Sequence, residues 1–174
     1  MKALILENLQ KDFFEGGRKV KDADLILDSI NKIISKFDLI IFTKDYVEQV
    51  NINYNDLVDN IFSKITENNS LYIFNKQVDD NKSFSAFYSE NQISTGLSEF
   101  LDEKEVDQIF VAGINYNNSV NNTIDDAIYE GFKVVSIIDA IKFTDQNIAS
   151  FIEKLTNNDV KIIESWELPL FNLL

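Results

Sequence analysis

Polar residues follow the first four predicted strands of this sequence, and their types could support chemistry. Asn8 follows the first strand, Asp45 the second and Lys76 the third, and the segment 117–119 after the fourth strand ends at Ser119. Ligands of open α/β sheets bind beyond the carboxyl ends of the strands, so we expect these side chains to converge. A serine at the start of a helix could act as a nucleophile beside a base, and the helix N–H groups would suit an anion.

Each of these residues also has a structural interpretation. Asn and Ser are common in helix caps and turns, and a single Lys or Asp in a loop is usually solvated. Their joint position at the ends of four successive strands favours a site over four unrelated structural roles.

The composition excludes several kinds of chemistry. The sequence contains no cysteine and no histidine, so a thiolate nucleophile, a disulfide bond and an imidazole metal ligand are all excluded. Its 29 acidic and 16 basic residues give a formal charge of −13, which repels nucleic acid and anionic membrane surfaces. No apolar run reaches the roughly 20 residues of a membrane span, and no signal peptide is evident. We therefore expect a cytoplasmic protein with no nucleic-acid or membrane partner.

Apolar runs rich in Ile, Val and Phe alternate with segments of helical period, which is typical of βαβ units. This pattern predicts a single α/β domain over residues 1–174, with a three-layer α/β/α, Rossmann-like architecture and a six-stranded, mostly parallel sheet. The predicted strands are Ala3–Leu6, Leu39–Thr43, Leu71–Phe74, Gln108–Ala112, Lys133–Ile137 and Val160–Ile163.

Amphipathic stripes predict the helices between these strands. The stripes span Leu27–Phe37, Leu57–Ile65, Leu97–Leu101, Val120–Ile128 and Ile148–Leu155. The polar stretch Val78–Ser83 is predicted to be a mobile surface loop. The apolar tail Trp166–Leu174 either packs on its own domain or covers a partner subunit.

Short segments spread over nearly the whole chain have a recognisable order and spacing. They are Leu6–Gly17, Thr43–Asp45, Lys76, Ser85–Phe87, Gly113–Ile114, Ser119–Val120 and Thr123–Gly131. Together they resemble the isochorismatase-like hydrolase superfamily, of the nicotinamidase and isochorismatase type. Amide-hydrolysing members of that family use an aspartate, a lysine and a cysteine. The resemblance places Asn8, Lys76 and Ser119 at these catalytic positions, so two of the three are substituted.

The resemblance also implies which residues surround a ligand. These are Phe13, Asp45, Ile114, Asn115 and Asn118. It further implies a cis peptide bond between Ile114 and Asn115. Nicotinamidases hold a metal with an aspartate and histidines after the second strand. Asp45 matches that aspartate, but Val47 stands at the next ligand position, so we expect no metal and no cofactor.

The substitutions remove the supports that a nucleophile needs. Asn8 cannot accept a proton near neutral pH, and Ser119 would be an unactivated alcohol. Isochorismatases, which cleave a vinyl ether, dispense with the cysteine but need the aspartate as proton donor, and Asn8 cannot deliver that proton. Glu7 is a poor replacement because successive strand residues point to opposite faces, unless the strand bends there. Hydrolysis should be lost or greatly reduced.

Lys76 would be left without its usual carboxylate partner, and a buried unpaired ammonium tends toward a lowered pKa or a new partner. We therefore hypothesise that Lys76 and the backbone N–H groups of 115–119 bind a small carboxylate or a similar anion.

Three functional interpretations stay open. The first is a non-catalytic protein that binds a small anionic or amide ligand or a protein partner. The second is an active hydrolase of C–N bonds that uses Ser119 as nucleophile and Lys76 as base. A short contact between these two side chains would favour the second, whereas Lys76 paired with an acidic residue would favour the first. The third is an assembly surface, because the family commonly forms dimers and larger homo-oligomers.

Overall fold

A computed structural model describes residues 1–46, 56–62, 65, 67–77, 84–89, 92–115, 118–144 and 148–173. Both Val47 and the predicted loop Val78–Ser83 lie outside these residues. Within the described ranges, every helix is too short or too polar to cross a lipid bilayer.

All six predicted strands are confirmed and form one sheet. They are β1 Lys2–Glu7, β2 Leu39–Tyr46, β3 Ser70–Gln77, β4 Gln108–Asn115, β5 Lys133–Phe143 and β6 Lys161–Ile163. The strand order is β3-β2-β1-β4-β5-β6, and every neighbouring pair is parallel. The sheet is thus wholly parallel, and its order reverses beside β1, between β1 and β4.

Besides β1, which gains only Glu7 at its carboxyl end, four strands run further than their apolar segments predicted. β2, β3, β4 and β5 continue beyond the predicted carboxyl ends, so that Asp45 and Lys76 are strand residues rather than loop residues. Asp45 is the register partner of Lys76 in the parallel β2–β3 pair. Pairing across the sheet therefore fixes two of the predicted site residues side by side.

Helices cover both faces of the sheet. They are α1 Leu25–Ile33, α2 Asp59–Phe62, α3 Leu97–Glu103, α4 Ser119–Tyr129 and α5 Ile148–Asn157, with 3-10 turns at Lys11–Phe13 and Ile34–Lys36. The stripe predicted over Leu57–Ile65 contains only the single turn of α2 within the described residues. The other predicted helices are confirmed, with ends that shift by a few residues.

The alternation of β1 divides the core into two layers. Leu4 and Leu6 belong to the cluster that packs under α1, whereas Ala3 and Ile5 belong to the cluster under α3, α4 and α5. Successive strand residues point to opposite faces, so both faces of β1 are apolar and buried. The three-layer α/β/α prediction is confirmed.

β1 and β4 approach each other closely at their carboxyl ends. Gly113 has φ 120°, and a Cβ at this position would lie 2.2 Å from the carbonyl oxygen of Glu7. Only glycine combines this backbone conformation with such a close approach. Directly after Glu7, Asn8 adopts a left-handed conformation with φ 58°, which ends the strand alternation.

The apolar tail forms a 3-10 helix at Ser165–Leu173. Leu168 is buried in the core cluster under α1, while Trp166 and Leu170 are exposed. The tail therefore packs on its own chain, which is the first of the two predicted alternatives. The predicted homo-oligomer stays a prediction.

Candidate functional site

The end of β1 carries a buried ion pair between Glu7 and Lys76. Lys76 Nζ donates to Glu7 Oε2 at 2.6 Å, and both side chains are almost completely buried. The other carboxylate oxygen of Glu7 accepts from Thr123 Oγ1 of α4 at 2.6 Å. Glu7 therefore faces the site, which was expected only if the strand bends at this point, and it is the new partner of Lys76, one of the two outcomes expected for a buried ammonium.

The backbone at Asn8 explains why the alternation argument failed. Glu7 points toward α4, as the alternation of Ala3 and Ile5 predicts, and Asn8 would point to the opposite face if the strand continued. Its left-handed φ instead turns Asn8 toward α4 as well. Two successive residues of one strand end thus reach the same helix.

The environment of Lys76 keeps this side chain charged. Burial alone would lower the pKa of Lys76, but the opposing charges of Glu7 and Asp45 and its hydrogen bonds to both raise that pKa above its usual range. Lys76 Nζ lies 3.5 Å from Asp45 Oδ1, and it also donates to the carbonyl of Phe84 at 3.5 Å. As an ammonium with these partners, Lys76 has no free electron pair with which to act as a base.

Asn8 and Ser119 meet at the start of α4, as predicted. Asn8 Nδ2 donates to Ser119 Oγ at 2.8 Å and to the carbonyl of Ile114 at 3.2 Å. Ser119 Oγ in turn donates to the same carbonyl at 3.1 Å. The carbonyl oxygen of Ile114 can only accept a hydrogen bond. The side-chain amide of Asn8 must therefore direct its nitrogen, not its oxygen, at this carbonyl. Asn8 Oδ1 is then buried without a hydrogen-bond partner among the described residues.

The N-terminus of α4 is already capped by a side chain. Asn115 is fully buried, and its Oδ1 accepts from the backbone N–H of Val120 at 2.9 Å and of Asn121 at 3.4 Å. Asn118 precedes the helix with φ 68°. Two N–H groups in the first turn of α4 are thus occupied by the chain itself, but they are not among the N–H groups of residues 115–119 that were expected to bind an anion. The described residues contain no cis peptide bond, so the cis bond expected between Ile114 and Asn115 is wrong.

Asp45 lies between two cations. Its Oδ2 accepts from Arg18 Nη1 at 2.6 Å, while its Oδ1 faces Lys76. Arg18 Nε donates to Asp12 Oδ2 at 2.6 Å, and the guanidinium lies 4.3 Å from the ring centre of Phe13. Phe13, predicted to contact a ligand, is fully buried in the core.

The pKa values of this second cluster follow from the same contacts. Burial alone would raise the pKa of Asp12 and lower that of Arg18. The hydrogen bond and the charge interaction between the two groups outweigh burial, so the pKa of Asp12 is lowered and that of Arg18 is raised. Both groups are therefore charged at neutral pH.

The residues around Asp45 do not fit the metal that the resemblance implies. Its carboxylate is engaged by Arg18 and Lys76, and a metal ion would have to displace at least one of these cations. In the described part of the chain, no three Asp and Glu side chains are grouped so that they could hold a metal ion. The full sequence supplies no histidine or cysteine.

The sequence correctly predicted which strand ends converge. It did not identify three residues whose side chains connect these strand ends, namely Glu7, Thr123 and Arg18. Glu7 carried a signal, since a charged residue in an otherwise apolar strand requires a partner. Thr123 lies one helical turn after Ser119, on the same face of α4. Arg18 carried no signal, because it lies in an irregular segment 27 residues before its partner Asp45. The catalytic and ligand-binding roles of the predicted residues stay predictions.

Comparisons with known proteins agree with this architecture. A family model described as "Isochorismatase domain" matches residues 2–164. A nicotinamidase of Acinetobacter baylyi is 26% identical and aligns over 92% of this chain and 94% of its own length.

Solved structures show the same fold. PnC1 of L. infantum, in complex with nicotinate, is 24% identical with a TM-score of 0.80, over 95% of this chain and 93% of that protein. The pyrazinamidase of Pyrococcus horikoshii, in complex with zinc, is 24% identical with a TM-score of 0.72, over 94% and 98%.

Proposed function

We propose, from the premise that this chain belongs to the isochorismatase family, that it is a non-catalytic member whose strand-end site binds a small neutral amide. The hydrogen bonding of Ser119 carries the first half of this proposal. Its Oγ accepts from Asn8 Nδ2 and donates to the carbonyl of Ile114, and neither partner can remove its proton. A serine without a base is a poor nucleophile.

The position of Lys76 weighs against the alternative hydrolase. No hydrogen bond joins Lys76 to Ser119 in the described part of the chain, and Lys76 is bound to Glu7 and Asp45 instead. A Ser–Lys mechanism needs a neutral amine beside the hydroxyl, whereas the raised pKa keeps Lys76 protonated. This is the arrangement that the sequence analysis associated with a non-catalytic protein.

Charge distinguishes an amide ligand from an anionic one. The cluster of Glu7, Asp45 and Asp12 with Lys76 and Arg18 contains three carboxylates against two cations, so it carries an excess of negative charge. Lys76 is already neutralised by Glu7 and Asp45, so it offers no unpaired positive charge to an anion. The hypothesis of an anion held by Lys76 therefore loses its support.

Asn8 supplies the group that favours an amide. A buried acceptor without a donor costs about 1–3 kcal/mol, and an N–H group from a ligand would recover this free energy. Carboxamides donate such a hydrogen bond and carry no charge. The names of the similar proteins suggest suitable probes, namely nicotinamide and pyrazinamide with their matched acids, nicotinate and pyrazinoate.

Thermal unfolding, calorimetric titration and ammonia release with these four compounds test the proposal. We expect an amide to raise the Tm of the protein, whereas its matched acid should leave the Tm unchanged. Ammonia should be released no faster with the protein than in a protein-free blank. An amide at about 100 times its Kd would add about 2.7 kcal/mol of stability. Asn8→Leu should abolish this shift, and Ser119→Ala, the matched control, should retain it.

Each half of the proposal has its own contrary result. Ammonia release by the native chain that is lost in Ser119→Ala would refute the non-catalytic assignment. Stabilisation by an acid alone, or by none of the four compounds, would refute amide binding. The double variant Asn8→Asp, Ser119→Cys restores the family's catalytic side chains and serves as the reference for gained activity.

A further inference from the structure

The segment 12–18 is built around one guanidinium group. Asp12 Oδ1 accepts from the backbone N–H of Gly17 at 2.8 Å, which fixes its carboxylate within the turn. At Gly16 a Cβ would lie 2.2 Å from Asp12 Oδ1, so the turn wraps tightly around this side chain. Asp12 Oδ2 then receives Arg18 Nε, and the ring of Phe13 supports the guanidinium from the core side.

Asp45 is held on the opposite side of the same guanidinium. Gln10 Oε1 accepts from the backbone N–H of Asp45 at 2.8 Å, and Gln10 Nε2 donates to the carbonyl of Asp45 at 3.2 Å. The side chain of Asp45 is 6% exposed and directs Oδ2 at Arg18 Nη1. Two carboxylates, each fixed by other parts of the chain, therefore converge on one cation.

We propose that Arg18 replaces a metal ion: its guanidinium occupies a cation site between Asp12 and Asp45 and makes that site independent of divalent metal. The resemblance implies that Asp45 stands where nicotinamidases hold a metal with an aspartate, and in this chain Asp45 pairs with a cation that the chain itself supplies. Arginine suits this role because it is always charged and donates to two carboxylates in fixed directions. Arg18 is thereby a positioning residue. It holds Asp45 beside Lys76, and unlike a metal ion it cannot dissociate from the chain.

This inference does not depend on the proposed amide ligand. It concerns how the chain neutralises Asp45, so it can be tested without any ligand and without an activity assay. Arg18→Ala removes the cation but leaves both carboxylates in place. Arg18→Lys retains a positive charge but loses the two-directional donor geometry.

Thermal unfolding of the chelator-treated protein, with and without added Mg²⁺, Mn²⁺ or Zn²⁺, provides the test. The native chain should unfold at the same Tm in all conditions. Arg18→Ala should unfold at a lower Tm and regain about 3 °C or more with at least one of these metals, saturably. Arg18→Lys should keep most of the native Tm and show no metal response.

The variant Arg18→Ala, Asp45→Asn is the control for adventitious metal binding, and it should show no metal response. Three outcomes would overturn the inference. In the first, a metal raises the Tm of the native chain and Asp45→Asn removes this effect. In the second, no metal raises the Tm of Arg18→Ala. In the third, a metal raises the Tm of Arg18→Ala, Asp45→Asn as much as that of Arg18→Ala.

Discussion

Two groups of side chains meet at the carboxyl end of β1, and they are built on different principles. One group contains Glu7, Lys76, Asp45 and Arg18, in which each charged group faces an opposite charge. The other is centred on Asn8 and Ser119, which share the carbonyl of Ile114 and contain no charge. In the charged group every member depends on an oppositely charged partner, whereas the neutral group relies on the carbonyl of Ile114 and leaves Asn8 Oδ1 without a partner among the described residues.

The difference shows how Lys76 can be paired although the residue at the family's aspartate position is neutral. At the position that the family gives to a catalytic aspartate, Asn8 has no charge to offer Lys76. Glu7, one residue earlier, supplies that charge, and its carboxylate oxygens accept from Lys76 and from Thr123. Lys76 therefore stays buried and charged, and among the described residues no hydrogen bond joins it to Ser119. The following changes test this division in order of decreasing effect.

Glu7→Gln should have the largest effect because it leaves Lys76 as a buried ammonium beside the more distant Asp45. We expect a loss of about 3–5 kcal/mol in the free energy of unfolding, measured by urea denaturation. Asp59→Asn is the matched control, since it breaks the exposed pair with Lys11. That control should lose less than about 1 kcal/mol.

The variant Glu7→Leu, Lys76→Met separates lost charge from lost packing. It removes both charges, so it should be more stable than Glu7→Gln, because replacing a buried pair by apolar residues is often neutral. A Glu7→Gln variant that is as stable as the Asp59→Asn control would contradict the view that the charged group depends on its pairing.

Asn8→Asp introduces a charge into the neutral group. The new carboxylate would face the carbonyl of Ile114, which offers no proton, so we expect a loss of about 3 kcal/mol at pH 7. Burial and the carbonyl should raise the pKa of the introduced carboxyl above its unfolded value. The deficit relative to the native chain should then shrink as pH falls from about 7 to 5 and the carboxyl becomes protonated. A deficit that grows on acidification would show that Asn8 lies in a cationic environment instead.

The sequence predicted most of the fold because β1 to β6 are short, apolar and separated by helical stripes. It also predicted that Asn8 meets Ser119 and that Asp45 lies near Lys76, since parallel strands end at one edge of the sheet. It did not predict that Glu7 and Asn8 face the same side, because the left-handed backbone of Asn8 is a feature that the apolar pattern of a strand does not indicate.

The contact of Arg18 with Asp45 was beyond sequence reasoning for a different reason. A long side chain in an irregular segment can reach many partners, and no periodicity restricts the choice. Asn115 was recognised as a site residue, but the sequence does not say whether its amide faces a ligand or, as in the structure, the first turn of α4.

Thr123→Val tests the hydroxyl that links the charged group to α4. The change removes the donor to Glu7 Oε1 and the acceptor of the Ala86 backbone N–H, at nearly constant volume. We expect a loss of about 2 kcal/mol in the free energy of unfolding. Thr156→Val is the matched control, because the exposed Thr156 hydroxyl donates to a carbonyl of its own helix, that of Ile152. Equal losses in the two variants would mean that Glu7 does not need this donor.

Glu130 provides a surface counterpart of Glu7, since it too is a carboxylate that receives hydroxyl groups. It accepts from Ser98 Oγ at 2.5 Å and from the hydroxyl of Tyr88. The hydrogen bond to this carboxylate raises the pKa of Tyr88 to about 12, because ionisation would place two negative charges together. Since the folded pKa is the higher one, this stabilising contribution is present below pH 10 and is lost as pH rises toward 12.

Ultraviolet titration of tyrosinate checks this smallest effect. One of the six tyrosines should titrate late in the native chain, and Tyr88→Phe should remove that late step. Glu130→Gln should shift it toward the ordinary tyrosine pKa, with little change in Tm because the pair is near solvent. If the late step survives Glu130→Gln, the carboxylate is not its cause. A large loss of stability in Glu130→Gln would instead show that the hydrogen bonds of Tyr88 and Ser98 to Glu130 stabilise the fold as much as those to the buried Glu7 do.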